Sequence, residues 1–112
     1  MNLNRITKHG IRALLVLARG GSFSSVDLET ELQVSRPVIQ KAMQALVRAG
    51  LVNSQRGTGG GFKLAKPPSR ITLYDAVNAL QGFTPEKPPW YKIMALVMQA
   101  LDGVSLAEMG KW

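Results

Sequence analysis

The chain has 112 residues, a formal net charge of +7 and no cysteine. That length accommodates one compact domain with an appendage and is short for two independent cores of ordinary size. The lack of cysteine excludes a disulfide framework, a thiolate metal site, an iron-sulfur cluster held by cysteines and a cysteine nucleophile, and no stretch approaches the roughly 20 apolar residues of a membrane span or the apolar core of a signal peptide, so a cytoplasmic location is expected.

The charge is unevenly placed. Residues 1–70 carry eleven Lys and Arg against Asp27, Glu29 and Glu31, whereas residues 71–112 carry Lys87, Lys92 and Lys111 against Asp75, Glu86, Asp102 and Glu108. A solvated surface without a partner intersperses the signs, so the split favours a polyanion footprint on the N-terminal part; an anionic membrane surface gives the same signature.

In chain order, Ile11, Leu14, Leu15 and Ala18 form an i, i+3, i+4, i+7 stripe that predicts an amphipathic helix ended by Gly20 and Gly21. Ser24-Ser25-Val26-Asp27 is a capping signature for a short second helix running to about Leu32. Ser35 can cap a third helix that tolerates Pro37 in its first turn and ends at Ala49-Gly50. Leu51 to Gln55 and Phe62 to Ala65 read as strands of a hairpin around Arg56-Gly57-Thr58-Gly59-Gly60-Gly61. Pro67 and Pro68 stop the second strand, and Thr72-Leu73-Tyr74-Asp75 opens a fourth helix through Leu80. Gly82 to Pro89, with three prolines, reads as a linker; Trp90 to Leu101 is again helical, Gly103 ends it, and Ser105 caps a last turn.

The second and third helices, with apolar Leu28, Leu32, Val34, Ile39 and Ala42, have the spacing of a helix-turn-helix, although Gln33 stands where glycine is common and Glu29 where a small residue is common. An ordinary helical hairpin in a core is the alternative. The third helix points Ile39, Ala42, Met43 and Leu46 inward and leaves Arg36, Gln40, Lys41, Gln44 and Arg48 outside, with no acid on that face. Arg and Gln suit bidentate contacts with guanine and adenine edges in the major groove, and Lys and Arg neutralise phosphates. In the hairpin tip, Arg56 with Gly57, Thr58, Gly59 and Gly60 has the chemistry to enter a narrow minor groove, where the negative potential deepens and glycines permit close approach. A phosphate-binding loop does not fit, because Phe62-Lys63 follows the last glycine and leads into a strand. A merely flexible tip stays open.

Arg12-Ala13-Leu14, Val34-Ser35 followed by Ile39, Leu46, Ala49-Gly50-Leu51-Val52 and the run from Arg56 to Ala65 together resemble a bacterial family of winged helix-turn-helix regulators. That family includes the iron-sulfur cluster assembly regulator, the nitric-oxide-sensitive repressor and the cysteine-metabolism repressor. The match covers about residues 3–82 well. The resemblance implies a mainly α fold with a small β-hairpin wing and a C-terminal dimerisation helix. It also implies that Ser35, Gln40 and Lys41 approach bases or phosphates in the major groove and that Arg56 is the wing residue that enters the minor groove. Where the family's sensing members carry a loop with three cysteines, this chain has Phe83-Thr84-Pro85-Glu86-Lys87-Pro88-Pro89, so that cofactor is not expected, nor is any other. An acid is frequent in the family at the position of Gln40 and an aromatic at Val38, so operator preference does not transfer.

Trp90, Ile93, Val97 and Ala100 fall at a and d heptad spacing, widened by Met94 and Leu101. A helix of about twelve residues is too short to be stable alone in water, so this face packs on a second subunit or on its own domain, and the twofold partner is preferred. The expected organisation is a DNA-binding domain over 1–82, a linker over 83–89 and a dimerisation helix with a final turn over 90–112. Met43, Met94 and Met98 read as core, and His9 has no second ligand of its kind. The expected function is a sequence-specific repressor of transcription acting as a homodimer on double-stranded DNA, with no membrane partner; the alternative is a winged-helix adaptor that binds protein. No residue set defines an effector, which leaves control by a small molecule, by a protein partner or by concentration open. Paired carboxylates and a Ser-His-Asp set are missing, so an enzyme is not expected.

Overall fold

A computed structural model of the chain describes residues 5–57, 60–81 and 103–110. Its elements are α1 (Arg5–Leu17), α2 (Ser25–Leu32), α3 (Arg36–Arg48), β1 (Val52–Gln55), β2 (Gly61–Leu64), a 3-10 turn at Pro68–Arg70, α4 (Leu73–Gln81) and a four-residue α5 (Leu106–Met109). The expected elements up to Leu80 are all present; α1 begins at Arg5, ahead of the stripe from Ile11 that announced it, and the ends of the others shift by about a residue.

α1 is the centre of the fold. It buries Ala13, Leu14, Val16 and Leu17 and packs against α2, α3 and α4. Leu14, Leu28, Ile39, Met43 and Leu46 are at most 1 % exposed, so each contributes about 1.5–3 kcal/mol from burial. They form one continuous core that also takes in Val52 of the hairpin and Ile71.

Local chemistry sets where helices begin. Ser24 Oγ accepts from the Asp27 amide at 3.0 Å while Asp27 Oδ2 accepts from the Ser24 amide at 2.8 Å, the reciprocal box foreseen for α2. Thr72 and Asp75 repeat it for α4. α3 departs from expectation. Ser35 occupies the cap position with extended backbone, but its hydroxyl makes no capping bond. Pro37 supplies no N–H in the first turn, and the helix starts on the Ser35 carbonyl, which accepts from the Ile39 amide at 3.2 Å. The turn before it is closed by Gln33 at φ 56°, a left-handed residue that ends α2 by donating its amide to the Glu29 carbonyl.

The hairpin is antiparallel, with Val52 opposite Leu64, Asn53 opposite Lys63, Ser54 opposite Phe62 and Gln55 opposite Gly61. Phe23, between α1 and α2, adds to its edge: Phe23 and Phe62 exchange both backbone hydrogen bonds, at 2.9 and 2.8 Å. This fastens the wing to the helix-turn-helix. Gly61 has φ 142°, and a Cβ there would lie 2.5 Å from the Phe23 carbonyl oxygen, so only glycine fits between the strand and its neighbour.

The C-terminal segment returns to the same core. Thr72 and Ser105 form a β-bridge, Leu106 donates its amide to the Ile71 carbonyl at 3.0 Å, and the Leu106 side chain is 1 % exposed. Ser105 Oγ accepts from the Glu108 amide, the final cap read from the sequence. The linker and the helix expected over 90–101, with Trp90, Ile93, Met94, Val97, Ala100 and Leu101, lie outside the described residues.

Candidate nucleic-acid interface

α3 presents two faces of opposite character. Ile39, Ala42, Met43 and Leu46 are buried, and Arg36, Gln40, Lys41, Gln44 and Arg48 are exposed. The division follows from helical periodicity: a core on one side leaves every residue on the other side free to contact solvent or a ligand. Ser35 is also exposed at the head of this helix.

The wing stands beside that polar face. Gln40, Gln44, Val47 and Arg48 of α3, Ser54, Arg56 and Phe62 of the hairpin, and Ser25 of α2 line a single open cleft of about 540 Å³. No carboxylate lines it, so the helix amides and two guanidinium-bearing side chains converge without an internal counter-charge. Gly57 and Gly60 bend the tip, the Gly60 amide donating to the Gly57 carbonyl at 2.8 Å; Thr58 and Gly59 lie outside the described residues. Lys41 is exposed on α3, and neither it, Ser35 nor Arg36 lines the cleft.

Arg36 carries a partner that its own helix face did not reveal. Its Nη2 donates to Oε2 of Glu29 at 3.1 Å, from α3 back to α2. The face is free of acids in sequence, yet the fold brings one to its first residue. Periodicity within one helix cannot report a neighbour supplied by another.

Sequence reasoning also missed four lining residues and one brace. Ser25, Val47, Ser54 and Phe62 reach the cleft through the side-by-side packing of α2, α3 and the hairpin, and the exposed pattern of Ser54 on a strand was the available signal. Arg12 of α1 donates from Nη2 to the Leu32 carbonyl at 3.1 Å, bonding the last turn of α2 and so holding the start of the turn that aims α3. Its other nitrogen lies 3.0 Å from His9 Nδ1. Burial, then the charges of Arg12, Arg5 and Lys8, hold His9 below its usual pKa.

Three helices whose third exposes a cationic, amide-rich face, with a hairpin seated alongside, define a winged helix-turn-helix protein. The chain belongs to the Rrf2 family of transcriptional regulators: the family model, described as an iron-dependent transcriptional regulator, matches residues 3–111. It is 34% identical over 108 residues to YwgB of Bacillus subtilis (strain 168), assigned as an HTH-type transcriptional regulator, covering 94% of this chain and 67% of that protein. It is 38% identical over 79 residues to BadM of Rhodopseudomonas palustris, likewise assigned, covering 69% of this chain and 51% of that protein. The chain thus spans between half and two thirds of the length of these two relatives. Among solved structures it is similar to the oxidized form of Staphylococcus aureus CymR, with a TM-score of 0.80 and 26% identity over 100% of this chain and 98% of that one. It is equally similar to IscR of T. potens, with a TM-score of 0.80 and 27% identity over 99% of this chain and 87% of that one.

The family description raises iron, and the donor set does not fit it. The sequence has no cysteine and a single histidine, and that histidine faces a guanidinium across 3.0 Å. Among the described residues no three His, Cys, Asp or Glu side chains gather into a ligand set. An iron-sulfur cluster held by thiolates has no ligands here.

Proposed function

We propose that this chain is a sequence-specific DNA-binding regulator of transcription that acts as a homodimer, represses by occupying its operator, and works without an iron-sulfur cluster. The observation that carries this reading is the shared cleft: the polar face of α3 and Arg56 of the wing open onto one surface, so one duplex can meet both at once. In this arrangement α3 enters the major groove, Gln40 and Gln44 address base edges, and Lys41 and Arg48 take phosphates. Arg56 enters the adjacent minor groove, with Gly57, Thr58, Gly59 and Gly60 allowing the backbone to approach. Ser35 supplies a hydroxyl to the backbone at the head of α3.

Residues 1–82 are the DNA-binding part, 83–89 the linker, and 90–112 carry the dimerisation helix, whose face is Trp90, Ile93, Met94, Val97, Ala100 and Leu101. Leu106 packs in the core of the DNA-binding part. A twofold pair then addresses two half-sites about 34–36 Å apart, one helical turn of DNA. No helix among the described residues is long and apolar enough to cross a membrane.

The deciding experiment is selection of genomic fragments bound by the purified chain. The expected result is an enriched pseudo-palindromic motif with half-sites one turn apart. Fragments without an enriched motif would remove the sequence-specific reading and leave the adaptor.

A further inference from the structure

Three acids lie in the first seventy residues, and each has a defined task. Asp27 closes the cap of α2, Glu31 receives Arg19 at 2.8 Å, and Glu29 receives Arg36 at 3.1 Å. The last pair is the one that touches the DNA-facing helix. Arg36 is its first residue, in the first turn from which a recognition helix reaches the duplex. Its side chain is 52% exposed and that of Glu29 26%, so the guanidinium is the more accessible of the two to a phosphate. Arg48 and Arg56 form no ion pair among the described residues.

We propose that Glu29 sets the sequence-independent part of DNA affinity: by holding Arg36 in an ion pair at the head of α3, it withholds one sequence-blind cation from the phosphate backbone. This inference rests on the DNA-binding reading above. A duplex offers Arg36 a phosphate in competition with Glu29, and an exposed ion pair of this kind shifts such an equilibrium by up to about fivefold. Phosphate contacts add affinity to every sequence equally, whereas base-edge contacts add it to the operator alone. Keeping Arg36 occupied therefore lowers binding to every duplex by the same factor, operator and random DNA alike, and leaves the discrimination by Gln40 and Gln44 unchanged. It also accounts for an acid on α2 at a position where helix-turn-helix pairs commonly carry a small residue, since the core side of that helix is filled by Leu28 and Leu32 without it.

The test uses the whole chain as the wild type, Glu29→Ala, Arg36→Ala and the double variant, titrated against the selected operator duplex and a random-sequence duplex over a salt series. Glu29→Gln, which keeps the side-chain volume, replaces the alanine variant if thermal melts show that one to be unfolded. Glu29→Ala is expected to bind the random duplex about two- to fivefold tighter, with a salt dependence steeper by about 0.9 in log K against log salt, one added phosphate contact. The operator duplex gains by the same factor, so the ratio of operator to random affinity is unchanged. The gain vanishes in the double variant, and Arg36→Ala alone changes random binding by less than about twofold. The inference is overturned if the gain persists without Arg36, because the carboxylate then acts on DNA directly. It is equally overturned if Arg36→Ala costs the same affinity with Glu29 present as with Ala at that position, or if the gain is confined to the operator, because Arg36 then reads sequence. A wild type that binds neither duplex at low salt removes the DNA-binding reading itself, whereas normal operator binding with an unaltered Glu29 variant removes only this inference.

Discussion

Arg56 and Gln40 line the same cleft but answer to different physics. An arginine in a narrow minor groove reads electrostatic potential, so Arg56→Ala is expected to weaken operator binding by about 1–3 kcal/mol, with the larger loss at operators rich in A-tracts. Equilibrium titration on two operators of different groove width checks this, and wild-type affinity in the variant would take the wing out of the interface. A glutamine on a base edge reads identity instead. Gln40→Ala is expected to relax discrimination at one base pair per half-site, visible when the variant is selected against random duplexes, and an unchanged motif would leave Gln40 as a solvent residue.

Two ionisable groups link stability to pH at this same scale. The hydrogen bond from Arg19, then its charge, hold the Glu31 carboxyl below the usual carboxylate range. A carboxyl depressed in the folded state stabilises above its unfolded pKa, and that contribution is lost as pH falls through the folded value. His9 is held below its ordinary value by burial and by three cations. The unfolded chain therefore takes up a proton first as pH drops through about 6.5, and the folded state loses ground there too. Both effects have one sign. The melting temperature is expected to fall from pH 7.5 to pH 6, and His9→Gln to flatten that part of the profile; a profile that rises on acidification would contradict the assignment.

At the scale of elements, the wing depends on a backbone approach more than on side chains. Phe23 pairs with Phe62 across the position of Gly61, whose missing Cβ leaves room for the Phe23 carbonyl. Gly61→Ala forces either the left-handed strain or a shift of the Phe23 segment, and is expected to cost about 1–3 kcal/mol of stability. DNA binding should suffer beyond that loss, because the wing is displaced relative to α3. Denaturant unfolding alongside operator titration separates the two effects, and a variant with native stability would show that the strand and its neighbour can part freely. The elements themselves were readable in the sequence because their signals are local: a 3.6-residue stripe in α1 and α3, reciprocal caps at Ser24–Asp27 and Thr72–Asp75, and glycines at the hairpin tip. Ser35 was misread as a capping hydroxyl because cap residue type alone does not fix the rotamer of its side chain.

At the scale of the whole molecule, the helix expected over residues 90–101 bears on association. Residues Ile93 and Val97 belong to the heptad face, and aspartate at either should dissociate a dimer built on that helix while leaving the core residues around Leu106 untouched. Sedimentation of Ile93→Asp and Val97→Asp is expected to give monomers whose operator affinity falls as cooperativity between half-sites is lost. Dimers that survive both substitutions would move the interface elsewhere. Deleting everything after Gly82 is a poorer test, since it also removes Leu106 from the core shared with Ile71.

The sequence alone determined which face of α3 is polar, where the second, third and fourth helices begin, that the hairpin tip is a cationic glycine turn, and that no thiolate can hold iron. All of these depend on residue type and on spacing within a few positions, which chain order preserves. Only the tertiary structure decided that α3 and the wing share one cleft, that Phe23 fastens the hairpin, that Arg12 braces the end of α2, that Leu106 closes the core, and that Glu29 reaches Arg36. Each of these is a meeting of residues brought together by packing around α1, and the hydrophobic burial that drives such packing is non-directional: it demands that the apolar faces meet, while the shapes of the particular side chains settle which polar neighbours are carried along.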